Sequence, residues 1–132
     1  AVTRLCINDH SCVNAAAQYA GVAALEGPHD AVHEMVAQFD RRRRFMVERL
    51  GTIPGFRRPD SAGAFYAFPN IEGTGLTSRQ AQDRFLNEAH VATLVGTSFG
   101  KNGEGYLRFS YANSIENIEI ALNRIEALLE KA

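Results

Sequence analysis

The sequence predicts an α+β fold in two layers, a small sheet covered by helices, and three observations lead to it. Residues 30–50 and 114–129 carry apolar side chains at helical spacing, so each has a face that must be buried against something. Ala64–Phe68 and Tyr106–Tyr111 read as strands, and in the second Leu107, Phe109 and Tyr111 alternate with Tyr106, Arg108 and Ser110. The elements run helix, helix, strand, helix, strand, strand, helix, which is too little strand for anything but a small sheet with helices laid over it.

Each element has a local reason. Residues 1–10 are short and mixed and read as an extended lead-in, with Asn8, Asp9 and Ser11 available as caps. From about Cys12 to Glu26 the chain is helix-forming and nearly all small, and Gly27-Pro28 ends that run. Asp30 to Leu50 forms a second helix with Val32, Met35, Val36, Phe39, Met46, Val47 and Leu50 on one face, closed by Gly51 and Pro54-Gly55. Thr77-Ser78-Arg79-Gln80 has capping-box form and opens a helix to about Ala89. Val91–Val95 is a short strand. Ser114 caps the last helix, where Ile115, Ile118, Leu122, Ile125 and Leu129 form a stripe and Glu116 and Glu119 complement the amino-terminal dipole.

The chain has 132 residues, 45% hydrophobic and 22% charged, enough apolar material for one core. A formal net charge of -1 favours neither nucleic acid nor an anionic membrane as a partner. No apolar run has the length of a membrane span and no basic segment precedes an apolar one at the start, so a cytoplasmic location is expected. Cys6 and Cys12 are read as free thiols. The first residue is Ala1 and the only methionines are Met35 and Met46, the pattern expected of a piece of a longer polypeptide.

Chemistry concentrates in the glycine-rich loop from Val95 to Gly105 and the strand that follows. Arg108 stands on the strand face away from Leu107, Phe109 and Tyr111. A guanidinium held on a sheet suits bidentate capture of a carboxylate or phosphate, although an arginine that merely decorates a strand has the same spacing. Gly96 to Lys101 is not a phosphate-binding P-loop, because Asn102 stands where Ser or Thr is needed and a strand follows. Lys101 sits among polar loop residues and Lys131 in the terminal turn, so neither is desolvated as a Schiff-base lysine must be. Cys6, Asp9, His10 and Cys12, or His29 with His33, lack the second pair that a metal site requires. The run Arg41–Arg44 reads as a solvated helix face, with Asp40–Arg44 and Arg44–Glu48 pairs at i, i+4. Phe65 and Tyr66 suit either a pocket wall or the core.

Together with Gly63-Ala64-Phe65-Tyr66-Ala67-Phe68-Pro69-Asn70 and the Ala17-Gln18-Tyr19-Ala20 helix, this loop and strand resemble the carboxyl-terminal part of a class I aminotransferase. The family is that of aspartate aminotransferase, fold type I of the pyridoxal-phosphate enzymes, and the resemblance runs from about Ser11 to Leu128. In that family the arginine of an R-x-S-Y-A pattern, matched by Arg108 to Ala112, binds the substrate α-carboxylate. The resemblance implies that residues 1–27 are a lead-in and interdomain helix and 28–132 the small domain. It implies pyridoxal phosphate in the parent enzyme, an amino acid, aspartate among the candidates, and a 2-oxo acid as substrates, and a homodimer. Phe65 and Tyr66 fall in the family's G-x-F-Y segment at the active-site edge. The family's catalytic lysine lies upstream, so no catalytic residue is expected here and the chain alone is not expected to bind the cofactor. The usual V-P-G turn is Leu94-Val95-Gly96, which loosens the loop entrance. The rival reading is a truncated, non-catalytic oligomerising or binding module.

Overall fold

The computed structural model describes residues 1–131, which fall into two compact units, one of residues 1–35 and one from residue 36 onward. The first unit differs from expectation at its start. Val2–Asp9 is a helix (α1), not an extended lead-in, and the Asn8 side-chain amide donates to the Arg4 carbonyl at 2.8 Å. Val2, Leu5 and Cys6 recur at helical spacing, and that local pattern prevails over the mixed composition. Ser11, at φ 60, stops the helix. The next helix, α2, spans Ala15–Glu26, and its cap is Asn14, whose side chain accepts from the Ala17 amide, not one of the residues around Asp9. Gly27 ends α2 as expected.

α3 runs from Asp30 to Leu50. Of its apolar stripe Met46, Val47 and Leu50 are buried and Phe39 and Phe45 partly so, whereas Val32, Met35 and Val36 are exposed. Periodicity names the face to be covered, and only packing supplies the cover. In the second unit a three-stranded sheet has the order β1-β3-β2. Its strands are β1 (Tyr66–Ala67), β2 (Leu94–Val95) and β3 (Leu107–Ser110), and both pairings are antiparallel with β3 central. Tyr66 faces Ser110 and Leu94 faces Arg108 across the ladders.

The strands are shorter than the sequence suggests, for backbone reasons. Ala64 takes φ 56, so the extended run cannot begin before Phe65, and Pro69 has no N–H to donate to the ladder. Val91, Thr93 and Val95 alternate as a strand should, inward-facing and buried, yet the Val91 amide bonds the Phe85 carbonyl instead of the sheet. Two helices complete the unit, α4 (Ser78–Asn87) and α5 (Ile115–Leu129). α4 has the expected capping box between Thr77 and Gln80, and Ser114 caps α5 by accepting from the Asn117 amide.

The core lies between the inner sheet face and α3, α4 and α5. Leu50, Ile53, Ile71, Phe85, Leu107, Tyr111 and Ile125 are wholly enclosed there, with Phe56 against both Phe85 and Phe109. Arg49 joins α3 to α5, donating to Glu126 at 3.0 Å and to Asn123 at 2.8 Å. Among the described residues no helix is long and apolar enough to cross a membrane.

Candidate functional site

With Leu107, Phe109 and Tyr111 committed to the core, pleating turns Arg108 to the opposite face of β3, half-buried. There its guanidinium lies against two rings, 4.2 Å from the centroid of Tyr66 and 4.7 Å from that of Phe99. Contact with ring faces engages the charge of the guanidinium and leaves its N–H donors for another acceptor. Four carboxylates elsewhere are engaged by other arginines. Asp40 pairs with Arg43 and Arg44, Glu126 with Arg49, Glu88 with Arg84 and Glu72 with Arg57, and none among the described residues pairs with Arg108.

Tyr66 reaches Arg108 because β1 is the neighbour of β3. The turn that delivers it is pinned from inside: the buried Tyr111 hydroxyl donates to the Ala64 carbonyl at 2.9 Å, with that of Gly63 at 3.3 Å. Burial pushes the Tyr111 phenol above its ordinary value, so it remains a donor. Phe99 arrives from the glycine loop, through 3-10 turns at Gly96–Phe99 and Lys101–Gly103. Phe99 meets Phe68 edge-on at 5.8 Å, and Phe68 stacks on Tyr106 at 5.5 Å. The arginine therefore stands in an aromatic palisade built from β1, β3 and the loop.

Of the residues singled out by sequence, Tyr66 and Arg108 come together. Phe65, just before β1, packs its ring on Tyr66 at 4.3 Å and on Phe39 at 6.1 Å, beside a hollow of about 340 Å³ that Arg43 and Tyr111 also line. Phe99 was not singled out. Its signal was an aromatic side chain inside a glycine loop, where no core position explains it.

Lys101 is exposed on the loop and Lys131 exposed at the chain's end. With neither desolvated, these residues by themselves do not fit pyridoxal phosphate, which needs a lysine poised to condense with its aldehyde. Cys6 and Cys12 are free and exposed, and no group of three or more His, Cys, Asp or Glu among the described residues is placed to hold a metal. His29 and His33 stand 6.3 Å apart. In the arginine run Asp40 takes both Arg43 and Arg44 at 2.7 Å, and these hydrogen bonds hold its carboxyl below the ordinary value. The expected Arg44–Glu48 pair is replaced by Arg43–Asp40, at i, i+3.

Residues 6–125 match the family model for aminotransferase class I and II. The chain belongs to this aminotransferase family. An aspartate aminotransferase of Pyrococcus horikoshii is 45% identical over 115 residues, 86% of this chain and 29% of the relative. A putative aminotransferase of Bacillus subtilis is 41% identical over 120 residues, covering 91% of this chain and 31% of the relative. Among solved structures, an aromatic aminotransferase from Pyrococcus horikoshii superposes with a TM-score of 0.85 at 40% identity, covering 97% of this chain and 34% of the other. This aminotransferase chain thus spans about a third of the length of the curated relatives it matches, and its small antiparallel sheet with helices agrees with the carboxyl-terminal domain of fold type I aminotransferases.

Proposed function

We propose that this chain is the carboxyl-terminal portion of a pyridoxal-phosphate-dependent aminotransferase that moves an amino group between an amino acid and a 2-oxo acid. Arg108 binds the carboxylate common to both substrates. The observation that carries the reading is the guanidinium held against Tyr66 and Phe99 with no carboxylate partner among the described residues. Contact with two rings restricts the side chain before substrate arrives, so less conformational freedom is lost on binding. The exposed edge offers two parallel N–H donors, matching the two oxygens of a carboxylate.

A substrate caught by its carboxylate keeps only rotation about one bond, which brings its amino or oxo carbon to a defined place. Tyr66 and Phe99 also shield the ion pair from water, which strengthens it. Phe65 packs on Tyr66 at 4.3 Å and extends the wall on that side. Residues 1–27 form the lead-in and interdomain helix and 28–132 the small domain. The cofactor and its lysine are supplied by the rest of the enzyme. Aspartate is the first amino acid to test, in keeping with the name of the 45% identical relative.

In the complete enzyme, Arg108→Ala raises KM for both the amino acid and the oxo acid and lowers kcat/KM by about 2 kcal/mol, the worth of a charge-assisted contact. Arg108→Lys keeps the charge, loses the fork and falls between. Steady-state kinetics with both substrates decide this, and unchanged constants in either variant remove Arg108 from the site.

A further inference from the structure

The loop that brings Phe99 to Arg108 is fastened by groups far away in sequence. α4 already has its own cap, since Thr77 and Gln80 satisfy one another's backbone amides. Even so, the Ser78 amide in the first turn of α4 donates to the carboxylate of Glu104, 26 residues further along, at 2.8 Å. The Ser78 hydroxyl, on a residue with no exposed surface, accepts from the Tyr106 amide at 3.1 Å and faces the Gly103 carbonyl at 3.4 Å. One residue of α4 thus holds three consecutive parts of the loop's exit, at Gly103, Glu104 and Tyr106. Arg108 lies two residues beyond.

The loop's entrance is tied to the same place. The Gly96 amide donates to the Tyr106 carbonyl at 2.9 Å, and a Cβ on Gly96 would come within 2.1 Å of the Gly103 carbonyl oxygen. Entrance and exit therefore cross in contact, and the turns carrying Phe99 hang from that crossing. Glu104 is solvent-exposed and has no cationic partner among the described residues. Its carboxyl is held below the ordinary value, foremost by the Ser78 amide, so it is an anionic acceptor at neutral pH.

We propose that Glu104 and Ser78 form a latch that keeps the glycine loop closed over β3, making both of them positioning residues for carboxylate capture by Arg108. This rests on the reading of Arg108 given above. When the latch is released, the loop samples arrangements in which Phe99 no longer backs the guanidinium. Substrate must then select the competent fraction, and its apparent affinity falls by that fraction. Once substrate is bound, the competent arrangement is restored and turnover is unchanged. A purely structural defect has the opposite signature: less active enzyme, a lower apparent kcat, and an unaltered KM.

The test measures KM and kcat for amino acid and oxo acid in the complete enzyme carrying this chain, for wild type, Glu104→Ala, Glu104→Gln and Arg108→Ala. Glu104→Ala is expected to raise both KM values about tenfold with kcat within about twofold. Glu104→Gln retains a carbonyl acceptor for the Ser78 amide and restores KM to within about threefold of wild type. Glu104→Asp, one methylene too short to reach Ser78, gives the same split as alanine and serves if the alanine variant does not fold. A raised KM in Arg108→Ala with unchanged KM in Glu104→Ala and Glu104→Asp overturns the latch and leaves the arginine reading standing. Unchanged kinetics in Arg108→Ala overturns the reading beneath it. A fall in kcat alone on releasing Glu104 makes the residue merely structural and also overturns the proposal.

Discussion

At Gly96 and Gly103 the absence of a side chain is a steric requirement. A Cβ on Gly103 would stand 2.0 Å from the Gly96 carbonyl oxygen, and one on Gly96 would also meet the Tyr106 carbonyl oxygen at 2.8 Å. Both obstacles are backbone, so no rotamer relieves them. Gly96→Ala is therefore expected to cost about 1–3 kcal/mol and to loosen the loop. Gly63→Ala, with nothing within 4 Å of the added carbon, stays within about 0.5 kcal/mol of the parent. Urea unfolding of the two variants checks the contrast, and equal losses would show that the crossing is not rigid.

Among the elements, the helices differ in how much of the fold depends on their caps. Ser114 and Thr77 cap α5 and α4, which bury Ile118, Leu122 and Ile125 and Ala81 and Phe85 respectively. Asn14 caps α2, in which every side chain is exposed. Cap loss reaches global stability only through a helix that unfolds together with the core. Ser114→Ala and Thr77→Ala should each lower unfolding stability by about 1 kcal/mol, while Asn14→Ala changes helical content near the amino terminus and leaves the main transition in place. Chemical denaturation followed by tryptophan-free probes, such as tyrosine fluorescence and far-ultraviolet dichroism, separates the two behaviours. A shifted main transition in Asn14→Ala would mean that α2 is part of the cooperative unit.

For the molecule as a whole, the first unit carries large apolar side chains that it does not itself bury. Val13, Tyr19, Val22 and Leu25 are 64%, 79%, 53% and 79% exposed. At about 25 cal/mol per Å² of apolar area, hiding even part of that helix favours association. The chain alone is expected to self-associate through α2 and Val13 just before its cap, and Val13→Glu with Leu25→Glu should disperse it. Sedimentation over a wide concentration range is the measurement. A monodisperse monomer at high concentration, unaltered by the glutamates, would show that the helix needs no partner. The outcome also separates the two roles available to this segment, because a helix that normally meets another part of an aminotransferase should associate non-specifically, whereas a dedicated oligomerising module should give one defined species.

The sequence by itself determined whatever depends on neighbours along the chain. Alternation from Leu107 to Tyr111 assigned the two faces of β3 and with them the outward direction of Arg108. Thr77 with Gln80, and Ser114, announced their helices because a cap bonds amides two or three residues away. The tertiary structure alone decided which distant groups meet. No local pattern could bring Phe99 onto Arg108, Glu104 onto Ser78 or Arg49 onto Glu126, since each pair is joined only when separate elements pack. The extent of burial was likewise undecided: the α3 stripe is continuous in sequence, yet Val32, Met35 and Val36 remain exposed while Met46 and Leu50 are enclosed. Periodicity is a property of one helix, whereas burial belongs to the helix together with whatever covers it.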